Sequence, residues 1–113
     1  MTWLNDAEVT TADDKAAQAV EQARELSKAE RDRQLVALVY TTEAGDVIQC
    51  READEIRIRG AADKMEREGV ATRYWVAEDN TPVLVTVADL RGAIEHGQDE
   101  TDRIFAEYMQ NSL

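Results

Sequence analysis

The first long segment of the chain has the apolar pattern of a narrow helical stripe. Residues 12–34 contain no Gly or Pro, and their composition favours an α-helix. An isolated helix of this length is marginal in water, and alanines bury little apolar area. We therefore expect the helix to dock on its own domain, which we favour, or on a sister copy or another protein. The stripe consists of Ala16, Ala19, Ala23 and Leu26, spaced as in a coiled coil.

Two β-hairpins are predicted downstream of this helix. Each consists of two short runs rich in Val, Leu, Ile and Tyr, separated by a turn that contains Gly, Asp or Asn. Pro82 opens the last of these runs, a position that suits an edge strand. The predicted strands are residues 35–41, 47–50, 72–77 and 82–86.

Two more helices are predicted, one between the hairpins and one after them. Residues 52–68 form the first, and Gly69 is placed to end it in a left-handed conformation. Thr86 can cap the last helix, which we expect to be loosened at Gly97 because Gly costs about 1 kcal/mol relative to Ala there. Its apolar stripe is Val87, Leu90, Ile94, Gly97, Thr101, Ile104 and Tyr108.

The order helix, hairpin, helix, hairpin, helix predicts an α+β fold. Helices would pack on one face of a small antiparallel sheet. A chain of 113 residues has room for one such domain. We divide it into a leader at residues 1–11, an N-terminal helix at 12–34 and a compact α+β domain at 35–113.

The charge of the chain restricts its partners. Lys and Arg total 13 and Asp and Glu total 24, which gives a net charge of -11. Such a charge argues against nucleic acid and anionic membrane surfaces, and it permits basic protein partners. The N-terminus lacks the features of a signal peptide, and no apolar run approaches the roughly 20 residues that span a bilayer. We expect a cytoplasmic protein.

Candidate chemistry is sparse, and we expect no catalytic, cofactor or metal site. His96 and Cys50 are the only residues of their types, far apart in the sequence, so a zinc site is not predicted. Acidic pairs such as Asp99-Glu100 lack the spacing of a calcium loop. A Cys50–His96 pair is the one enzyme hypothesis, and against it Cys50 is expected to be a small core residue.

Aromatic and apolar residues supply the candidate contacts with a partner protein. Trp75 alternates with Tyr74 along a strand, so we expect Trp75 in the core and Tyr74 on the opposite, exposed side. Trp3 and Leu4 precede the first helix and either fold back onto the domain or bind a partner. The candidate partner-binding residues are Trp3, Leu4, Ala16, Ala19, Ala23, Leu26 and Tyr74.

Four stretches of the sequence together carry a family resemblance. The chain resembles a small domain of unknown function that occurs in proteins of tailed bacteriophages and prophages, over residues 28–108. Members of that family are often encoded near tail-fibre genes, so the resemblance implies a role in tail-fibre attachment or assembly. The stretches are KAERDRQL (28–35), READEIRIRGAADKM (51–65), YWVAEDNTPVLVTVADL (74–90) and RIFAEY (103–108).

Two functions follow as hypotheses. The first is a non-enzymatic tail accessory protein that binds a tail-fibre or baseplate subunit, in the cytoplasm of the bacterial host or in the virion tail. The N-terminal helix also allows homo-oligomers. The second is an acidic phage-encoded inhibitor that binds a basic host protein, as a DNA mimic or against a host defence. A mimic concentrates carboxylates on one face, whereas here acids and bases are interspersed.

Overall fold

The computed structural model of the protein describes residues 12–111, as three helices and two β-hairpins. This arrangement confirms the predicted α+β class. The elements are α1 (Ala12–Val36), β1 (Val39–Thr41), β2 (Val47–Gln49), α2 (Glu52–Glu68), β3 (Thr72–Val76), β4 (Pro82–Thr86) and α3 (Val87–Asn111).

The boundary between α1 and the first hairpin differs from the prediction. The predicted start of the first strand at residue 35 is wrong, because α1 continues to Val36 and β1 begins at Val39. Leu35 packs against the core from the last turns of the helix. Its burial therefore stabilises the helical conformation there, despite the strand preference of a Leu-Val sequence.

Helix α2 has the predicted bounds, because both of its ends are specified locally. At the start, the backbone N–H of Arg51 donates to Asp54 Oδ2 at 3.1 Å, and the Arg51 guanidinium donates to the same carboxylate. At the end, Gly69 adopts φ 66° and donates its N–H to the carbonyl of Glu66. The predicted inward face is buried and consists of Ile58, Ala61, Ala62 and Met65.

The strands form two separate two-stranded antiparallel sheets where one small sheet was expected. In the second hairpin Tyr74 pairs with Leu84 and Trp75 with Val83. A hydrogen bond from the backbone N–H of Glu78 to the carbonyl of Val47, at 2.9 Å, joins the turn of the second hairpin to β2. The hairpins are therefore neighbours without a continuous ladder.

Helix α3 runs unbroken from Val87 to Asn111, so the loosening expected at Gly97 is wrong. Its first turn is capped reciprocally, since Asp89 N–H donates to Thr86 Oγ1 and Thr86 N–H donates to Asp89 Oδ2. Gly97 is buried where α3 passes the backbone carbonyl of Cys50, and a Cβ there would overlap that oxygen. The glycine is thus required by close packing.

The core lies between α2, α3 and the inner faces of the two hairpins. Its fully buried side chains come from all of these elements: Ile48, Ile58, Val85 and Leu90. Trp75 is only 6% exposed, which confirms its predicted place in the core. Cys50, at 4% exposure, is likewise the small core residue that was expected.

Candidate functional site

Helix α1 divides into two halves with different surroundings. The downstream half, residues 27–36, packs on α3 through one side, where Ser27, Arg31 and Leu35 are partly buried. In the upstream half, residues 14–26, every side chain is exposed to solvent. The helix therefore packs on the domain through its downstream half. The side chains of its upstream half, called the bare half below, are exposed.

Arg31 provides the main polar contact between α1 and α3. Its guanidinium carbon lies 4.5 Å from the ring centroid of Tyr108 and 5.8 Å from that of Phe105. Its Nε donates to Asp32 Oδ1 at 3.0 Å, and the side chain is 22% exposed. A guanidinium over two aromatic rings is an attractive arrangement, so Arg31 orients α1 on the domain.

The upstream half of α1 contains the predicted stripe. Ala16, Ala19 and Ala23 are exposed, and Leu26 is 72% exposed. The favoured prediction that this stripe packs on its own domain is therefore wrong. On a helix with 3.6 residues per turn, the side that does pack, through Ser27 and Arg31, lies roughly a quarter turn away from the stripe.

The upstream half also exposes Val20, at 52%. Where α1 meets α3, a groove of about 220 Å³ is lined by Leu26 of α1 and by Tyr108 and Asn111 of α3. The bare apolar side chains and this groove are adjacent, so a partner on the stripe would also reach α3. Trp3 and Leu4, the other predicted contacts near this end, lie outside the described residues.

Tyr74 is placed as predicted, on the side of β3 that faces solvent, and it is 69% exposed. Its cross-strand neighbour Leu84 is 52% exposed, and Val76, opposite Pro82, is 55% exposed. The sequence interpretation missed Val76, Pro82 and Leu84 as surface residues. A signal was present: Pro82 to Val85 are all apolar, so apolar residues occupy both sides of β4.

The inner side of the same hairpin is closed by two arginines. The guanidinium carbon of Arg57 lies 4.6 Å from the ring centroid of Trp75, and that of Arg73 lies 5.5 Å from it. These contacts shield the indole and add attraction of cation–π type. Trp75 thus stabilises the domain and is not available to a partner.

A cleft of about 430 Å³ lies between the start of α2 and the middle of α3. Its floor includes Cys50 and Ile58, and its rim carries Arg51 and Glu55. The Arg51 guanidinium, bound to Asp54, lowers the pKa of that carboxyl below its ordinary value. Glu55 accepts hydrogen bonds from Arg59 and Gln98 at 2.7 Å each, so these charges support the two helices.

Neither candidate for nucleophilic chemistry has an activating neighbour. Burial raises the pKa of the Cys50 thiol to about 11, and the carboxylates of Asp54 and Glu100 add to the effect. A thiol with that pKa is protonated at neutral pH and is a poor nucleophile. The His96 ring lies 5.7 Å from the ring of Tyr40, and no hydrogen bond between His96 and Cys50 occurs in the described part of the chain.

Between Ala12 and Asn111, no group of three or more His, Cys, Asp or Glu side chains is placed to hold a metal ion. Of the three described helices, none combines the length and apolar character that crossing a bilayer requires.

Comparison with known proteins gives one match. No curated protein and no solved structure matches the chain. The model of a protein family described as "Domain of unknown function (DUF4376)" matches residues 12–110. Because this match covers all three helices and both hairpins, the chain belongs to the DUF4376 family.

Proposed function

We propose that the protein is a non-enzymatic docking protein whose upstream half of α1 binds a partner protein. The observation that carries this proposal is that residues 14–26 are helical while all of their side chains are exposed. A helical segment of thirteen residues with every side chain exposed is marginally stable in water. A partner that covers the stripe would supply the missing burial.

The composition of the stripe suits a helical partner. Alanines allow two helices to approach closely, and Leu26 adds a larger apolar contact. Pairs such as Arg24–Glu21, at 3.8 Å, lie on the helix surface and support the helix only weakly. The burial needed to fix the helix must therefore come from the partner.

The charge of α1 also suits association with another helix. The helix contains six acidic and five basic residues, so it carries -1 of the chain's net charge of -11. A second helix can therefore approach it with little long-range repulsion. The acidic excess lies elsewhere in the chain.

The partner that we propose is a phage tail-fibre or baseplate subunit, bound in the bacterial host cell or in the virion tail. The support for this identity is the sequence resemblance to the phage and prophage domain. Ion pairs on all three helices, such as Glu21–Arg24, Glu55–Arg59 and Glu100–Arg103, favour this function over DNA mimicry. A DNA mimic needs a surface of carboxylates with no basic side chains among them.

Co-purification tests the proposal. The tagged protein is co-expressed with each tail-fibre and baseplate subunit of the phage or prophage that encodes it. We expect one subunit to co-purify, and we expect Ala19→Glu, in the stripe, to weaken that association at least tenfold. Ala17→Glu is the matched control, since Ala17 is exposed on another side of α1 and its variant should bind normally.

Three results would contradict parts of this proposal. If no subunit binds, the tail role is wrong. If light scattering shows a dimer that Ala19→Glu dissociates, the partner of α1 is a second copy. If Ala19→Glu and Ala17→Glu bind equally well, the stripe is not the docking surface.

A further inference from the structure

The outer face of the β3–β4 hairpin has a composition that the fold does not explain. We define this face as Tyr74, Val76, Pro82 and Leu84, the outward residues next to the turn; the outward pair Thr72 and Thr86 lies at the far end of the hairpin. A hairpin that buries one side usually presents polar residues on the other. Here the four outward residues next to the turn are apolar, and the polar pair, Thr72 and Thr86, lies at the far end; all six are exposed.

The size of the outer face is that of an interaction patch. Its four exposed side chains form a continuous apolar patch on the order of a few hundred Å², a size at which a patch on a monomer is often functional. Tyr74 is the largest contributor, and a rigid aromatic of this kind is the typical anchor of a protein interface. The face is therefore large enough to bind a partner segment.

A second copy of the chain fits this face poorly. A stable dimer buries about 800 Å² on each partner, roughly twice what the outer face supplies. The rest of a symmetric interface would have to come from the surrounding surface, and each copy carries a net charge of -11. Two copies would therefore meet with like charges.

The charges next to the face complement a basic partner. Glu78 and Asp79 are exposed in the turn between the strands, and Asp89 follows the opposite end of β4. Among the described residues, Glu78 and Asp79 form no ion pair, and hydrogen bonds from Thr81 lower the pKa of the Asp79 carboxyl. The Asp79 carboxylate and the exposed Glu78 side chain beside it are therefore placed to meet a cation.

The basic side chains nearby are fewer in number. Lys64 and Arg73 line a groove of about 340 Å³ beside Tyr74, together with Glu68. The Arg73 guanidinium lies over the Trp75 ring, on the inner side of the hairpin. The acidic groups are therefore concentrated at the turn end of the outer face, next to Val76 and Pro82.

We propose that the outer face of the β3–β4 hairpin docks a basic partner protein, through an apolar strip that Lys or Arg side chains flank. The apolar strip covers Tyr74 and Leu84, and the flanking cations lie against the carboxylates of the turn. This surface is on a different element from the stripe of α1. Failure of one proposal therefore leaves the other standing.

Nuclear magnetic resonance with three synthetic peptides of equal length tests this inference. One alternates Val with Lys, one alternates Val with Glu, and one alternates Ser with Lys. We expect the Val/Lys peptide alone to shift the amide signals of Tyr74, Val76 and Leu84, and we expect 0.5 M NaCl to weaken its binding severalfold. Equal shifts with the Val/Glu peptide, or shifts confined to other elements, would overturn the proposal.

Variants separate the apolar contribution from the charged one. Tyr74→Ser with Leu84→Ser should weaken binding of the Val/Lys peptide at least tenfold. Glu78→Gln with Asp79→Asn should weaken it severalfold and remove most of the salt dependence. All four residues are exposed, so the fold should be retained, and the amide spectrum checks this.

Ile56→Ser is the matched control, because Ile56 is an apolar side chain that is 85% exposed on α2, away from the hairpin. Its variant should bind the peptide like the wild type. If Ile56→Ser loses as much binding as the hairpin variant, the contact is non-specific. If the wild type forms a dimer that Tyr74→Ser with Leu84→Ser dissociates, the occupant is a second copy and the proposal is wrong.

Discussion

Gly97 and Gly60 both lie inside helices, yet their surroundings are opposite. At Gly97 a Cβ would meet the backbone carbonyl of Cys50, which no side-chain rotation can move aside. At Gly60, on the exposed side of α2, a Cβ would meet no atom within 4 Å in the described structure. The same substitution therefore has opposite consequences at the two positions.

Gly97→Ala should destabilise the protein by about 1–3 kcal/mol, the usual cost of overpacking a closed site. Gly60→Ala should stabilise it by about 0.5–1 kcal/mol, because alanine restricts the unfolded chain and fits the helix. Urea unfolding followed by circular dichroism measures both. A Gly97→Ala variant as stable as the wild type would show that α3 is not fixed against Cys50.

Asp54 gives a prediction about pH. The bonded Arg51 side chain keeps the folded-state pKa of Asp54 below its ordinary value of 3.8, so the carboxylate stabilises the folded state at neutral pH. That stabilisation is complete above the ordinary value and is lost as the pH falls through the lower, folded-state value. Asp54→Asn should cost about 1–2 kcal/mol at pH 7.

The measurement for Asp54 is the stability of the variant relative to the wild type as a function of pH. We expect the difference to shrink below pH 3.8, where Asp54 of the unfolded wild type becomes protonated. Glu78→Gln is the control, since Glu78 is exposed and forms no ion pair within residues 12–111. A constant difference from pH 7 down to pH 2 would contradict the assignment.

At the scale of elements, α1 is stabilised by its contact with α3 only over its downstream half. Arg31→Ala removes the guanidinium between Phe105 and Tyr108, an interaction worth about 1 kcal/mol. Hydrogen exchange at residues 27–36 should become roughly fivefold faster, while α2 is unaffected. Arg24→Ala is the control, because Arg24 is on the bare half and pairs only weakly with Glu21.

The sequence was sufficient for elements whose ends carry local signals. Asp54 and Gly69 define α2 without any distant contact, and the alternation of Tyr74 and Trp75 assigns their sides of β3. The start of β1 was missed because Leu35 is held in the helix by tertiary packing. The requirement for Gly97 was missed because its neighbour, the Cys50 carbonyl, is distant in sequence.

The candidate surfaces were predicted in part. Residue spacing identified the stripe of α1 and the exposed position of Tyr74, but not whether the stripe packs on its own domain. That depends on which side of α1 packs against α3. The contact of Arg31 with Tyr108, which is distant in the sequence, orients the helix. The outer face of the hairpin was missed because the pairing of β3 with β4 is needed to show which apolar side chains are neighbours on one side of the hairpin.

At the scale of the whole molecule, we expect the acidic excess to oppose association between copies of the chain. The apolar stripe of α1 and the outer face are exposed at neutral pH while the net charge is -11. Lowering the pH towards the isoelectric point of about 4.4 removes that repulsion. Dynamic light scattering should then show reversible association, with the helical content unchanged, and particles of constant size from pH 7 to 4.4 would contradict this.

The burial of Cys50 has a practical consequence for labelling. With its thiol pKa near 11, only about one Cys50 in ten thousand is a thiolate at pH 7, and the side chain is enclosed. It is the only cysteine of the chain. A fluorophore maleimide should therefore react almost exclusively with a cysteine introduced by Ala17→Cys, on the bare half of α1. The natural sequence can otherwise be kept, and a label at Ala17 lies outside the stripe, so the proposed docking surface stays free for a partner.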